Sequence, residues 1–362
     1  MPAARSRRGG SLHRLLGLSA LMRACVPALG LALVLALGAG HGALAQDKPA
    51  ATAPAKPAAK PAAKPAAPAT PTMAPPPPPV TETGDVAYGA YQRGLYMTAF
   101  RAAVRRTQAG TDVPAMVLMG ELYSRGLGVP RDPAKAADWY RRAIKEGSAD
   151  AMFALGMMDL MGDGIPRDTK AAAQLFDQAA RKGNPSAAYN LGLLNLQGEA
   201  VPQDFGQAAK WFKVAADGGV PDAQYALSVQ LKEGNGVPPD SVTALKLLRA
   251  AADQGHVTAQ VEYAIAIFNG DGVPKDEAAA AALFRKAALA GNAIAQNRYA
   301  RLLSVGRGTA QDKVMAATWH LMAKSKGLGD PYLDGVVASL SPEDKKKAET
   351  LVRAWGASGS LP

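Results

Sequence analysis

Residues 113–328 of this 362-residue chain predict an all-α solenoid of helix pairs, and three features of the sequence carry that prediction. The first is a period of 36 residues held without a slip through six copies, which open at Val113, Ala149, Pro185, Pro221, Val257 and Ala293. A fixed period of about 20–50 residues marks an array whose units bury their apolar faces against their neighbours. The second is a set of constant columns. Alanine recurs at Ala115, Ala151, Ala187, Ala223, Ala259 and Ala295, and a loop glycine at Gly126, Gly162, Gly198, Gly234, Gly270 and Gly306. A loop acid follows at Asp132, Asp168, Asp204, Asp240, Asp276 and Asp312, and a closing glycine at Gly147, Gly183, Gly219, Gly255, Gly291 and Gly327. The third is apolar spacing: Ala115, Met119, Leu122 and Tyr123 share one helix face.

Ahead of the array, residues 1–45 hold five arginines and no acid, and the apolar run 26–40 leads to Ala43-Leu44-Ala45. This reads as an export signal, with Met1 or Met22 as its start. The apolar run is shorter than the roughly 20 residues that span a bilayer, so a membrane contact would require the signal to be kept as an anchor. Cys25 is the only cysteine and falls inside this segment, which removes disulfides from the mature chain. Residues 46–85 repeat Lys-Pro-Ala-Ala from Lys56 and end on the proline run 75–79, an extended spacer that cannot bury a core. Residues 86–112, with Tyr91, Tyr96 and Phe100, read as a degenerate repeat covering the first full unit.

Within each unit, Gly120, Gly156 and Gly192 sit mid-helix, where glycine costs about 1 kcal/mol against alanine. Small residues continue the column as Ser228, Ala264 and Ala300, so the backbone of a neighbouring helix is expected to approach there. In the loop, Gly126 and Gly128 can take positive φ, and Val129, like Ile165, Val201, Val237 and Val273, plugs the space between the helices. Asp132 then serves as N-cap and Pro133 as the first helical residue. The second helix buries Ala136, Trp139, Tyr140 and Ala143, and Gly147 ends it in the left-handed conformation. Beyond the array, residues 329–362 form a C-terminal capping helix and tail. Ser341 is its N-cap, Glu343 and Asp344 lie in its first turn, and Ala348, Leu351, Val352 and Trp355 line its apolar face.

The pattern Ala-x3-Leu-Gly-x5-Gly-x-Gly-Val-x2-Asp-x3-Ala-x2-Trp-x3-Ala-x3-Gly, nearly intact in Ala115–Gly147, resembles the Sel1-like repeat, a longer-loop relative of the tetratricopeptide repeat. Three departures stand out: Ala200 for the second loop glycine, Leu175, Leu247 and Leu283 for the tryptophan, and Thr309-Ala310 for Val-Pro in the last unit. The resemblance implies an exported bacterial protein whose right-handed superhelical scaffold makes protein–protein contacts and runs no reaction.

The residues themselves agree with a non-enzyme. His256 and His320 have no partner histidine or cysteine at metal-ligand spacing, so no metal or other cofactor is expected. His320 stands in the column of Tyr140, Phe176, Phe212 and Phe284 and reads as a replacement at the edge of the core. The loop aspartates are N-caps, and the glycine loops lack the Gly-Lys-Ser/Thr ending of a phosphate cradle. Of the net charge of +11, the first 45 residues supply +5 and residues 46–80 about +3, so the repeats carry no basic footprint for nucleic acid. One column is unusual. Tyr123, Asp159 and Asn195 precede Leu231, Ile267 and Leu303, and equivalent positions of adjacent units lie side by side. They read either as ordinary drift at half-exposed positions or as a polar strip on the concave face where another protein would bind. The alternative reading is a cell-envelope protein that holds peptidoglycan, or assists a cell-wall enzyme, through the basic proline-rich spacer. Either way the chain is expected in the periplasm or secreted.

Overall fold

The computed structural model describes residues 86–358, and every regular element in them is an α-helix. The expected export signal (1–45), the spacer (46–85) and the end of the tail (359–362) lie outside the described residues. Contacts divide the chain into a unit ending at Gly89 and one running from Ala90 to Pro362. Of the former, only the start of α1 (Val86–Gln92) is described. The latter continues with α2 (Tyr96–Ala109) and then six helix pairs. These are α3 (Val113–Arg125) with α4 (Pro133–Lys145), α5 (Ala149–Met161) with α6 (Thr169–Arg181), and α7 (Pro185–Gln197) with α8 (Phe205–Asp217). They continue as α9 (Pro221–Glu233) with α10 (Ser241–Asp253), α11 (Val257–Asn269) with α12 (Glu277–Leu289), and α13 (Ala293–Val305) with α14 (Lys313–Ser325). Each helix packs on the next in sequence, which makes the array a solenoid.

The loops explain the constant columns. Gly126 ends α3 at φ 69° and returns its N–H to the Leu122 carbonyl, and glycine ends the first helix of every unit in the same way. All six loop aspartates cap the second helix through side-chain acceptance of backbone N–H groups, as Asp132 does from Lys135 at 3.0 Å. Their own backbone N–H groups reach back to the first helix, Asp132 to the Tyr123 carbonyl at 2.9 Å and Asp168 to that of Asp159 at 2.8 Å. Carbonyls that a helix end would leave orphaned are thereby satisfied. Val129, Ile165, Val201, Val237 and Val273 are half-buried beneath these loops.

The small-residue column has a different cause from the one expected. What approaches Gly120, Gly156 and Gly192 most closely is the aromatic ring of the paired second helix, and at Gly192 the backbone carbonyl of Ala208 stands behind it at 3.3 Å. A Cβ on Gly156 would stand 2.8 Å from the Phe176 ring and one on Gly192 2.6 Å from that of Phe212, while one on Gly120 would collide with the Tyr140 ring. Phe176 and Phe212 are completely buried as a result. Between the later units, Gln224, Gln260 and Gln296 are buried and donate to the carbonyls of Ala216, Ala252 and Ala288 at 3.4, 3.2 and 3.2 Å. Each tie joins one unit to the last turn of the preceding second helix.

Both ends are closed. On the leading side the Phe100 ring meets Tyr123 edge-on at 5.7 Å, and Tyr91 and Tyr140 donate their hydroxyls to Glu121. On the trailing side a single capping helix was expected and two are present, α15 (Pro331–Ser339) and α16 (Pro342–Ser358). The start of α15, Asp330-Pro331, repeats the Asp132-Pro133 cap of the array. Asp330 is buried and takes a forked pair from Arg301 at 2.6 and 2.9 Å, with Asn297 adding a third bond at 2.9 Å. Trp355 of α16 lies edge-on to Trp319 at 5.6 Å. His320 is not at the core edge as expected but fully buried, because α15 covers it and brings Asp334 to its Nε2 at 2.8 Å.

Candidate partner-binding surface

The strip formed by Tyr123, Asp159 and Asn195 occupies the last turns of α3, α5 and α7. Each of the three faces the second helix of the preceding unit. Tyr123 packs on Phe100 of α2 and lies under the Lys135 ammonium, 5.6 Å from its ring centre. Asp159 feels Arg141 of α4 as well as Asp168 of its own loop. Asn195 is buried, donates its amide to the Leu191 carbonyl at 2.8 Å, and borders a groove against α6. The contacts of the three residues run to these neighbours and not to one another.

Their electrostatics differ sharply. Asp159 is half-buried, and its carboxylate makes no hydrogen bond or ion pair among the described residues. Burial raises its pKa above the usual carboxylate value, Asp168 raises it further, and Arg141 opposes the two incompletely. Arg141 is itself engaged by Asp138 at 2.9 Å. A carboxylate held this way weakens the fold while it is charged, a pattern that concentrates at binding and catalytic sites.

The groove beside Asn195 has a volume of about 670 Å³ and runs between α6 and α8, with α7 as its floor. Gln174 and Gln178 of α6 and Gln207 of α8 contribute amides, and Trp211 supplies a half-buried ring with the Arg181 guanidinium 5.9 Å from its centre. Arg181 is paired with Asp177 at 2.8 Å, whereas Lys170 on the same wall has no ion pair among the described residues. Ala200 and Val201 complete the margin. Sequence reasoning marked Ala200 only as a departure from the repeat pattern. The signal was present in it, because Ala200 is the one interruption in the second loop glycine column.

His256 caps α11 through its Nδ1, which accepts the Ala259 N–H at 3.0 Å, and its ring stacks on Tyr225 at 4.6 Å. Ser148, Asn184 and Asn292 hold the same position in other units, so this histidine is structural. Among the described residues no group of three or more His, Cys, Asp or Glu side chains could hold a metal ion, and no helix is long and apolar enough to cross a membrane.

The Sel1 repeat family model matches residues 113–148, 149–184, 185–220, 221–256, 257–292 and 293–328, the same boundaries that the 36-residue period sets. A Sel1 repeat protein from Oxalobacter formigenes is similar in structure, with 32% identity and a TM-score of 0.58 over 71% of this chain and 76% of its own. The protein c5321, a protective antigen present in uropathogenic Escherichia coli strains with an SLR fold, shares 27% identity with a TM-score of 0.61. That match covers 71% of this chain and spans 56% of the antigen's length. No curated protein matches the chain.

Proposed function

Since this chain belongs to the Sel1 repeat family, whose members bind other proteins, we propose that it is an exported, non-enzymatic adaptor that holds a partner protein through the first-helix strip of its leading units. Asp159 is the observation that carries this reading. A half-buried carboxylate with no hydrogen bond or ion pair among the described residues, placed between Tyr123 and Asn195 in the repeat register, costs the free protein stability and gains a counter-charge when a basic group docks. Tyr123 supplies an aromatic surface at one end of the strip and Asn195 an amide at the other. The sequence of residues 1–45 supports delivery across the inner membrane, and residues 46–85 would then hold the array away from the point of attachment.

The test is a crosslinking capture from the exported fraction, run with the wild type and with Asp159→Asn. The adaptor reading expects one protein captured in stoichiometric amount and lost with the substitution. A second reading rests on the Lys-Pro-Ala-Ala repeats and assigns binding of peptidoglycan, or help to a wall enzyme, to the spacer. Deleting residues 46–85 separates the two, since the adaptor keeps its partner while spacer-driven wall binding disappears.

A further inference from the structure

We infer that the groove between the second and third units docks an extended, acidic peptide segment of a partner protein, and that Ala200 is the residue that opens it. The inference rests on the adaptor reading and adds a second site to it, on the second helices α6 and α8 instead of the first-helix strip.

Five units place a glycine at the second loop position, Gly128, Gly164, Gly236, Gly272 and Gly308, with φ between 69° and 74°. In four of them this glycine presses on the start of the preceding second helix. A Cβ on Gly128 would come within 2.8 Å of the Met97 nitrogen, and one on Gly164, Gly236 or Gly308 would collide with Pro133, Phe205 or Glu277. The loop thereby seals the junction between units. Ala200 can follow neither the dihedral nor the approach, and no residue other than glycine has positive φ among the described residues. The third loop therefore takes another path, and the groove opens along α6 next to it, lined by Ala200 of that loop and by Lys170 of the first turn of α6.

The lining chooses the occupant. Gln174, Gln178 and Gln207 offer donors and acceptors together, matching the N–H and C=O groups that an extended backbone exposes along its length. The Trp211 ring gives one apolar platform, of the kind that anchors a single side chain. Charge sets the sign. Asp177 is already engaged by Arg181, which leaves Lys170 as the unpaired charge and the lining with one net positive charge, so an acidic segment is favoured. The volume lies in the range of about 300–1,000 Å³ that encloses a short peptide or small ligand and is too small for a folded domain.

A random dodecapeptide library displayed on phage and panned over the full-length chain tests this. The expected result is a set of clones rich in Asp and Glu that bind the wild type at least about tenfold more tightly than Ala200→Gly, which lets the loop close. Trp211→Leu is a second variant that the fold should accept, because Leu175, Leu247 and Leu283 occupy the same column elsewhere. It should lose the same clones, and Lys170→Glu should reverse the charge selected. Absence of any binding clone, clones without acidic excess, or clones that bind Ala200→Gly as well as the wild type would overturn the inference. The adaptor reading is tested apart from it. If Ala200→Gly captures the partner protein undiminished while Asp159→Asn does not, the strip stands and the groove falls.

Discussion

Replacing Asp330 by asparagine should loosen the C-terminal cap while leaving the six repeats intact. Asparagine still accepts the Tyr332 and Leu333 N–H groups through Oδ1, so the start of α15 is preserved, while the charge and the bonds that Oδ2 takes from Arg301 and Asn297 are lost. Burial works to raise the Asp330 pKa. The hydrogen bonds from Arg301 and Asn297 and the Leu333 N–H outweigh it and hold the carboxyl at about 2, against an ordinary value of 3.8. At about 1.4 kcal/mol per pH unit that difference is worth about 2 kcal/mol, and solvent around the half-exposed Arg301 reduces it toward 1. Because the folded value is depressed, the stabilisation is present above pH 3.8 and is lost as the pH falls toward 2. Hydrogen exchange is the assay. At neutral pH the variant should lose protection by about 5–30-fold in α15 and α16, with α3 to α8 unchanged. The wild type should lose the same protection on acidification, and the variant should show little further change there. Equal exchange in the two proteins at neutral pH would refute the assignment, and so would a loss spread evenly over the repeats.

Other substitutions probe other parts of the account. Gly156→Ala should destabilise by about 1–2 kcal/mol in urea unfolding, because overpacking against the Phe176 ring at 2.8 Å exceeds the gain in helix propensity. His256→Ala should cost about 1 kcal/mol, whereas His256→Asn should be nearly neutral, since asparagine caps the equivalent helices at Asn184 and Asn292. Asp159→Asn should raise the melting temperature at neutral pH and lose that advantage in acid. The folded Asp159 pKa is raised, so its charge opposes folding above that pKa and the opposition vanishes once the wild-type carboxyl is protonated. Asn195→Ala should weaken partner capture with little change in melting temperature, since the amide bond it loses runs back to the Leu191 carbonyl of its own helix.

The repeat was legible in the sequence because each constant residue has a local duty. Asp132 caps a helix, Gly126 and Gly147 supply positive φ, and Pro133 begins a helix without needing its N–H, so each role is readable from a few neighbouring residues. The features that needed the structure depend on contacts between elements. Gly156 was legible as small, but the Phe176 ring that requires it comes from the paired helix. His320 reads as an edge residue until α15 brings Asp334 over it, and the sign of α15 was the Asp330-Pro331 pair, the same start signal used throughout the array. At the candidate site, the strip positions followed from the period alone. The unsatisfied charge of Asp159 did not, because it depends on how far the fold buries that carboxylate and on Arg141 being taken by Asp138. Ala200 was visible as an exception, but its consequence needed the packing of the other second loop glycines.

The most direct test of the adaptor account is site-specific photocrosslinking in the exported fraction. One photoreactive aromatic residue replaces Tyr123, which keeps the ring that this position gives the strip and leaves Asp159 in place, and another replaces Val242, which is 67% exposed at the start of α10. The account predicts a discrete protein adduct from position 123 and none from position 242. Adducts of equal yield from both positions, an adduct from position 242 alone, or no protein adduct from position 123 would contradict it.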